Sequence, residues 1–510
     1  MTTRFAAIFT VIGLLLTAIT AHADGAQPGV RYSTAPDKVR VVLDLPRAIT
    51  FTDRSTPKQV LLSLDLPLIE ALPEIALTDT VAASIAVAQD TDGKAQLTIS
   101  LHKARKYTVF MLPPEGKKTD RLVVDILKRF RTEETRAISP AITYTRLEQQ
   151  TDDRYQVAHF VEIDTRDPKV RLDVTAAQGE RERVSAMVER AGAVCGINGG
   201  YFMQGTRPVG LLKADGNILS LPIWGRTAAA FPPTGVPILG NPRGAWRVIL
   251  ADGTARDIPD WLDASVLDPS PDVAVYSGKL FSQTPANPQG LTALVRDGHV
   301  LLRASEPLPL SPGDFAIRLK GDALATLDPL LAVGAPVVLT PVLDPAWEEF
   351  AGAVGAGPRL LRAGKLAISG VDERFKPDIL QGRPARSALG VTARGTVVLA
   401  LVEAPGPYGG GATLEELAGL LKSRGAVDAL NLDGGGSSTL AIGGATVNYP
   451  AGAWIRPVAS GVLVFDERIT PPPVQVEPSP ESTPALPVET LPEHLLPHPA
   501  ASVDQEEIGE

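Results

Sequence analysis

Apolar and polar residues alternate with period two through the first quarter of the chain. Lys38 to Leu45 reads KVRVVLDL and Lys58 to Leu66 reads KQVLLSLDL; AQLTISL, YTVFML and RLVVDIL follow before residue 128. Strict alternation bounded by short turns predicts half-exposed antiparallel strands. This predicts a small all-β domain over residues 24–130, with no constellation of catalytic type. The charge-rich run from Lys128 to Arg136 predicts a connector, with residues 131–137 as linker. A second unit, residues 138–467, mixes strands such as Val157 to Ile163 and Val170 to Thr175 with few helices. Beyond it, residues 468–510 form a tail. Its last forty residues hold ten prolines, cannot bury a core and are expected to be disordered or extended.

Late in the second unit the period changes. Thr396 to Val402 is a continuous apolar run ending at Glu403, and a glycine-rich loop follows it. Thr413 and Glu416 then have capping-box spacing. Leu414, Leu417, Leu420 and Leu421 fall on one helical face, and Gly425 is placed to end the helix. Ala426 to Leu432 is again strand-like. Two strands joined by a helix normally run parallel, so Glu403 and Asp433 are expected at the same sheet edge, where ligands bind in open sheets.

The strand after the helix runs into Asn431-Leu432-Asp433-Gly434-Gly435-Gly436-Ser437-Ser438-Thr439. A turn needs one glycine, and each further one costs ordering entropy. Three in a row suggest backbone amides left bare to approach a ligand. No Gly-Lys-Ser/Thr follows, so this is not a phosphate-binding P-loop, and Thr439 to Ile442 predicts a strand. A hairpin turn with polar filler is the plainer alternative. Cys195 to Phe202, CGINGGYF, similarly closes an apolar approach with Asn198, Gly199, Gly200 and Tyr201. Arg226 sits among small residues in WGRTAAAF, and Arg383 and Arg386 precede a strand in GRPARSALGV. An arginine's planar fork suits a pair of phosphate or carboxylate oxygens, and Arg386 is the better placed of the last two.

Composition narrows the chemistry. The 510 residues are 44% hydrophobic and 21% charged, enough for two or three packed domains. A net charge of −9 without a basic tract argues against nucleic acid as partner. Of six histidines, His22 lies in the leader and His494 and His498 in the tail, which leaves His102, His159 and His299 scattered. His159, in an alternating strand, fits a satisfied core histidine better than a catalyst. With no His-Glu-x-x-His, no cysteine pair and no Gly-x-Ser-x-Gly, no metal site, cofactor or lipase-like triad is expected. Two carboxylates at one edge, Asp433 and Glu403, are instead what glycosidic cleavage commonly uses.

Residues 1–23 fit an export signal: Arg4, an apolar run from Phe5 to Ile19, then Ala21-His22-Ala23. A lone cysteine, Cys195, excludes an internal disulfide framework. Together they predict a periplasmic or cell-surface location.

In the order NGGYF, GRTAAAF, AVGAGPRLLRAGK, RPARSALGV and ELAGLLKSRGAVDALNLDGGGSSTL, the motifs of residues 138–467 resemble the phosphodiester glycosidase family. The resemblance implies a mixed-sheet α+β domain and cleavage of a sugar 1-phosphodiester. Many members carry Asp-Gly where this chain has Glu403-Ala404, which puts the role of Glu403 in question. The strands VRVVLDL and QVLLSLDL resemble the AMIN domain, whose members localise envelope proteins and often bind peptidoglycan. The expectation is an exported envelope glycosidase acting on a sugar phosphodiester or related envelope glycan. Asp433 and Glu403 would be catalytic. Asn198, Gly199, Gly200, Tyr201, Arg226, Arg386, Asn431, Gly434, Gly435, Gly436, Ser437 and Ser438 would hold substrate. A non-catalytic cell-wall glycan-binding protein is the alternative.

Overall fold

The structure, a computed structural model, describes residues 29–68, 70–151, 153–179, 181–203, 208–260, 271–279, 281–449 and 454–469. The leader and the tail from residue 470, with His494 and His498, lie outside the described residues.

The N-terminal alternation becomes two antiparallel sheets. One pairs Gly29–Thr34, Lys38–Leu45, Asp120–Leu127 and Tyr107–Leu112. The other pairs Phe51–Asp53, Gln59–Pro67, Lys94–Leu101, Ala82–Gln89 and Leu72–Ala76. Every second residue of Lys38–Leu45 is buried. These side chains meet those of the other sheet in a core drawn only from residues 39–126, apart from part-buried flanking residues.

The predicted connector is instead a strand. β1 (Phe130–Ser139) pairs with β2 (Ile142–Gln150) at the rim of a large sheet. Its charges misled the sequence reading: Arg131, Glu133, Glu134 and Arg136 are exposed along β1. Charge on an edge strand is a common device against edge-to-edge pairing.

The large sheet adds β3 (Tyr155–Asp164), β6 (Arg359–Arg362), β7 (Lys365–Leu366), β8 (Arg386–Thr392), β9 (Thr396–Val402) and β10 (Ala426–Asn431), in the order β1-β2-β3-β9-β8-β10-β6-β7. A second sheet runs β4-β13-β5-β11-β12. It is built from β4 (Val170–Ala176), β5 (Cys195–Asn198), β11 (Leu440–Ile442), β12 (Ala445–Thr446) and β13 (Ser460–Asp466). The two sheets face each other across a shared core that includes Val161, Ile163, Leu399, Leu430, Leu172, Ile197 and Val462. Cys195 is wholly buried there, and burial pushes its thiol up to about 12.

Helices close the outer faces. α1 (Val184–Ala191) packs on the second sheet through Met187 and Val188. α2 (Leu414–Ser423) packs on the large sheet through Leu414, Leu417, Leu420 and Leu421. Thr413 and Glu416 form the predicted capping box. Each buried leucine contributes roughly 1.5–3 kcal/mol relative to exposure, so this face, more than helix propensity, holds α2 in place. Residues 244–343 contribute two further small sheets around a core of their own.

The fold is thus mainly β, with few helices. Every paired ladder among the described residues is antiparallel, which corrects the expectation of mixed sheets. β9 and β10 do run parallel, but β8 lies between them and pairs antiparallel with both. Glu403 and Asp433 therefore leave the same edge with one strand between them.

Candidate active site around Asp433

β10 ends at Asn431, and the chain turns through Gly435–Ser437, one short 3-10 turn, into β11. Gly435 has φ of +58°, in the left-handed region that favours glycine. At Gly436 a Cβ would stand 2.6 Å from the Arg456 guanidinium carbon, so the missing side chain lets that cation lie over the turn.

The turn is tied to β5. Asn198 Nδ2 donates to Asp433 O at 2.7 Å, while its Oδ1 accepts from Ser387 Oγ at 2.7 Å and Thr439 N at 3.1 Å. Asn198 is fully buried. Both ends of its amide are committed within the protein, so it ties β5 to β8 and to both ends of the turn between β10 and β11. Gly199 and Gly200 are packed closely as well. The Gly199 amide donates to Ser460 O at 2.8 Å. A Cβ on Gly200 would lie 2.1 Å from Gly355 O. Those glycines permit close backbone packing. Two of the three glycines after Asp433 also have occupied amides: Gly434 N donates to Asp433 Oδ1 at 2.9 Å and Gly435 N to Ala385 O at 2.8 Å.

Polar side chains around this turn are only partly satisfied. Arg386 is 2% exposed; Nε donates to Ala412 O and Nη1 to Ile379 O, but Nη2 has no partner. Asn431 Nδ2 donates to Tyr201 Oη and Gly357 O, both at 2.9 Å, while its Oδ1 has none. Ser437 Oγ and Ser438 Oγ are buried without a hydrogen bond of normal geometry. Buried polar groups are nearly always paired, so several orphans at one turn mark it as a place where a polar ligand could be held.

Electrostatics points the same way. Burial pushes the Asp433 carboxyl up to about 6, against the opposing effects of the Ser437 hydroxyl, the Gly434 amide and the Arg456 charge. Burial pulls the Arg226 and Arg386 guanidiniums down, and the Tyr201 phenol is pushed well up, chiefly by burial and then by Asp433. Arg226 lies 4.2 Å over the Phe375 ring and donates to the Glu373 and Arg374 carbonyls. None of Arg226, Arg386 and Arg456 forms a salt bridge within 4 Å among the described residues. Arg383 does, to Glu416.

Glu403 belongs to different surroundings. Its Oε1 accepts from His159 Nε2 at 2.8 Å and from Tyr449 N at 2.9 Å, and Tyr144 Oη meets His159 Nδ1 at 2.9 Å. His159 is 1% exposed, with both ring nitrogens partnered. Glu403 lines a cleft of about 880 Å³ with Arg146, Tyr155, Tyr408 and Tyr449, and Asp433 is not among its walls. The two carboxylates share an edge, but no contact joins them.

Sequence reasoning missed Arg456 and Glu373. Arg456 sits in an irregular segment where no periodicity marks it. Glu373 is a 3% exposed carboxylate that accepts from Thr227 N, Thr227 Oγ1, Arg359 N and Ser369 Oγ, and so fixes the loop beneath Arg226. An acidic residue in a loop gives no such signal. Among the described residues no group of three or more His, Cys, Asp or Glu is placed to hold a metal.

Comparison with known proteins bears on this geometry. The model of the phosphodiester glycosidase family matches residues 270–465, a segment that holds Arg386, Glu403, Asp433 and Arg456 but not Tyr201 or Arg226. No curated protein matches the chain. A solved structure of a hypothetical protein from Synechocystis is 21% identical with a TM-score of 0.57, covering 87% of this chain and 81% of that one. A putative exported protein from Burkholderia pseudomallei is 17% identical with a TM-score of 0.50, covering 90% of this chain and all of that one. Both are likenesses of fold. The catalytic domain of zebrafish N-acetylglucosamine-1-phosphodiester alpha-N-acetylglucosaminidase, auto-inhibited by its pro-peptide, is 18% identical with a TM-score of 0.37, covering 66% and 88%.

Proposed function

We propose, from the premise that residues 270–465 carry the phosphodiester glycosidase family's domain, that this chain hydrolyses a sugar 1-phosphodiester at the Asp433 centre. The observation that carries the reading is the set of buried, unpartnered polar atoms around Asp433: Arg386 Nη2, Asn431 Oδ1 and Ser438 Oγ. With Arg386 and Arg456 beside the turn that follows Asp433, the centre suits a ligand bearing both hydroxyls and an anionic group.

Chemistry follows from those parts. Cleavage at the anomeric carbon develops positive charge on the sugar ring. The ionised Asp433 carboxylate stabilises that charge from a fixed position at the end of β10. The departing phosphate gathers negative charge, and Arg386 and Arg456 stabilise it. A phosphate is already a good leaving group, so a strong general acid matters less than in ordinary glycosidases. Glu403, held by His159, serves binding more than proton transfer in this account.

Export to the periplasm or cell surface, an envelope glycan as substrate, and peptidoglycan contact through the AMIN-like N-terminal sheets complete the proposal. Its supports are the sequence of the leader and the alternating strands. The test is release of free sugar from a panel of envelope phosphodiesters by the purified full chain, beside Asp433→Asn. Sugar release by the wild type alone is expected. Binding without turnover in both proteins would favour the glycan-binding alternative.

A further inference from the structure

The cleft around Glu403 is built for something other than phosphate. Its rings are aromatic and partly exposed: the Tyr155 and Tyr408 centroids lie 5.7 Å apart, tilted by 57°, and Tyr449 is 76% exposed. Its cations are already compensated. Arg146 pairs with Glu148 at 2.9 Å, and Lys106 lies 3.6 Å from the same carboxylate. Lys106 comes from the N-terminal unit and lies 5.6 Å and 5.0 Å over the Tyr155 and Tyr408 rings. Glu403 Oε1 is taken by His159 and Tyr449, and among the described residues Oε2 has no hydrogen-bond partner.

We infer that this cleft binds a neutral saccharide chain, the part of the substrate that extends beyond the cleaved sugar. The inference rests on the hydrolase reading for its place in the reaction. Tyrosine offers an apolar face with a polar tip, which suits the C–H face and hydroxyl rim of a pyranose. The free carboxylate oxygen accepts hydroxyl donors. Balanced charge removes any preference for an anion.

Continuity with the Asp433 centre supports the assignment. Asn448 also lines the cleft and is 7% exposed. Its Oδ1 accepts from Leu440 N at 2.8 Å, and its Nδ2 donates to Ser438 O at 3.2 Å and Tyr449 O at 3.1 Å. One side chain thus joins the turn that follows Asp433 to the cleft wall. The N-terminal unit, through Lys106, fixes the two rings that form the opposite wall.

The test is calorimetric titration of the purified full chain with cellotetraose, chitotetraose and maltotetraose, with and without inorganic phosphate. At least one tetrasaccharide is expected to bind, and phosphate should not compete. Tyr408→Ala and Tyr449→Ala should each weaken binding by about tenfold, the equivalent of about 1.4 kcal/mol. Tyr449 is too exposed for its loss to disturb folding, so it guards against a misfolded Tyr408 variant. No binding of any tetrasaccharide, or wild-type binding by both variants, overturns the inference. Sugar release from a phosphodiester without tetrasaccharide binding would end this inference and leave the hydrolase reading standing; binding without sugar release would do the reverse.

Discussion

Asp433 and Glu403 leave the same edge of one sheet, yet their surroundings differ in kind. Around Asp433 the Arg386 and Arg456 guanidiniums lie beside the turn without a salt bridge among the described residues, and buried polar atoms lack partners. Around Glu403 the positive charges are matched, His159 is fully satisfied, and the exposed surface is aromatic. One strand, β8, separates the two. It carries Arg386 at the edge beside the turn that follows Asp433. What the difference teaches is that a pair of acidic residues at a sheet edge does not by itself make a glycosidase pair; the partners of each decide its role.

The largest effect is expected at Asp433. Asp433→Asn should lower kcat by roughly a hundredfold or more, as for other single electrostatic groups in active sites. The same change should raise stability near neutral pH. The Asp433 carboxyl is pushed up to about 6 in the fold, from about 3.8 when unfolded. Between those values the folded protein keeps a proton that the unfolded chain has released, so wild-type stability falls as pH rises from about 4 to 6. Above that window the variant should be more stable by about 1–3 kcal/mol, and below pH 4 the advantage should vanish. Denaturant titrations of both proteins at pH 4 and pH 7 check the sign.

Arg386→Lys ranks next. Lysine keeps the charge but loses the fork, so kcat/KM should fall by about ten- to a hundredfold, with a lower melting temperature because the Ala412 and Ile379 carbonyls lose a donor. A smaller loss belongs to Glu403→Gln. Glutamine's carbonyl can still accept from His159 and Tyr449, so turnover should drop by less than about tenfold. A Glu403→Gln loss as deep as that of Asp433→Asn would break the comparison and restore the two-carboxylate mechanism. Gly436→Ala should have the mildest effect. The added methyl pushes the Arg456 guanidinium aside, and because that side chain is exposed it can move, at a cost of a few-fold in kcat and little stability.

Local pattern carried the sequence reading where the structure is local. The capping box at Thr413 and Glu416, the leucine face of α2 and the alternating N-terminal strands each follow from a few neighbouring residues. The shared edge of Glu403 and Asp433 was legible because a helical crossover constrains strand direction. That β8 would lie between them was not, since it depends on pairing fixed only by the assembled sheet. Charge hid the edge strand β1, whose exposed face tolerates it. At Asn198, Gly199 and Gly200 the residue types suited either ligand contact or close packing, and only the partners, Ser387, Thr439, Ser460 and Gly355, distinguish these. Arg456 lies in irregular backbone with no repeat to betray it.

The central claim is that the Asp433 centre works on a sugar bonded to phosphate. It is tested most directly by measuring kcat/KM of the purified full chain for a sugar 1-phosphodiester beside the same sugar on a phosphate-free alkyl group. The account predicts release of sugar and phosphomonoester from the first at a rate that rises through pH 6 as Asp433 ionises, with the second cleaved at least about a hundredfold more slowly. Equal cleavage of both, or cleavage of the phosphodiester undiminished in Asp433→Asn, would contradict it.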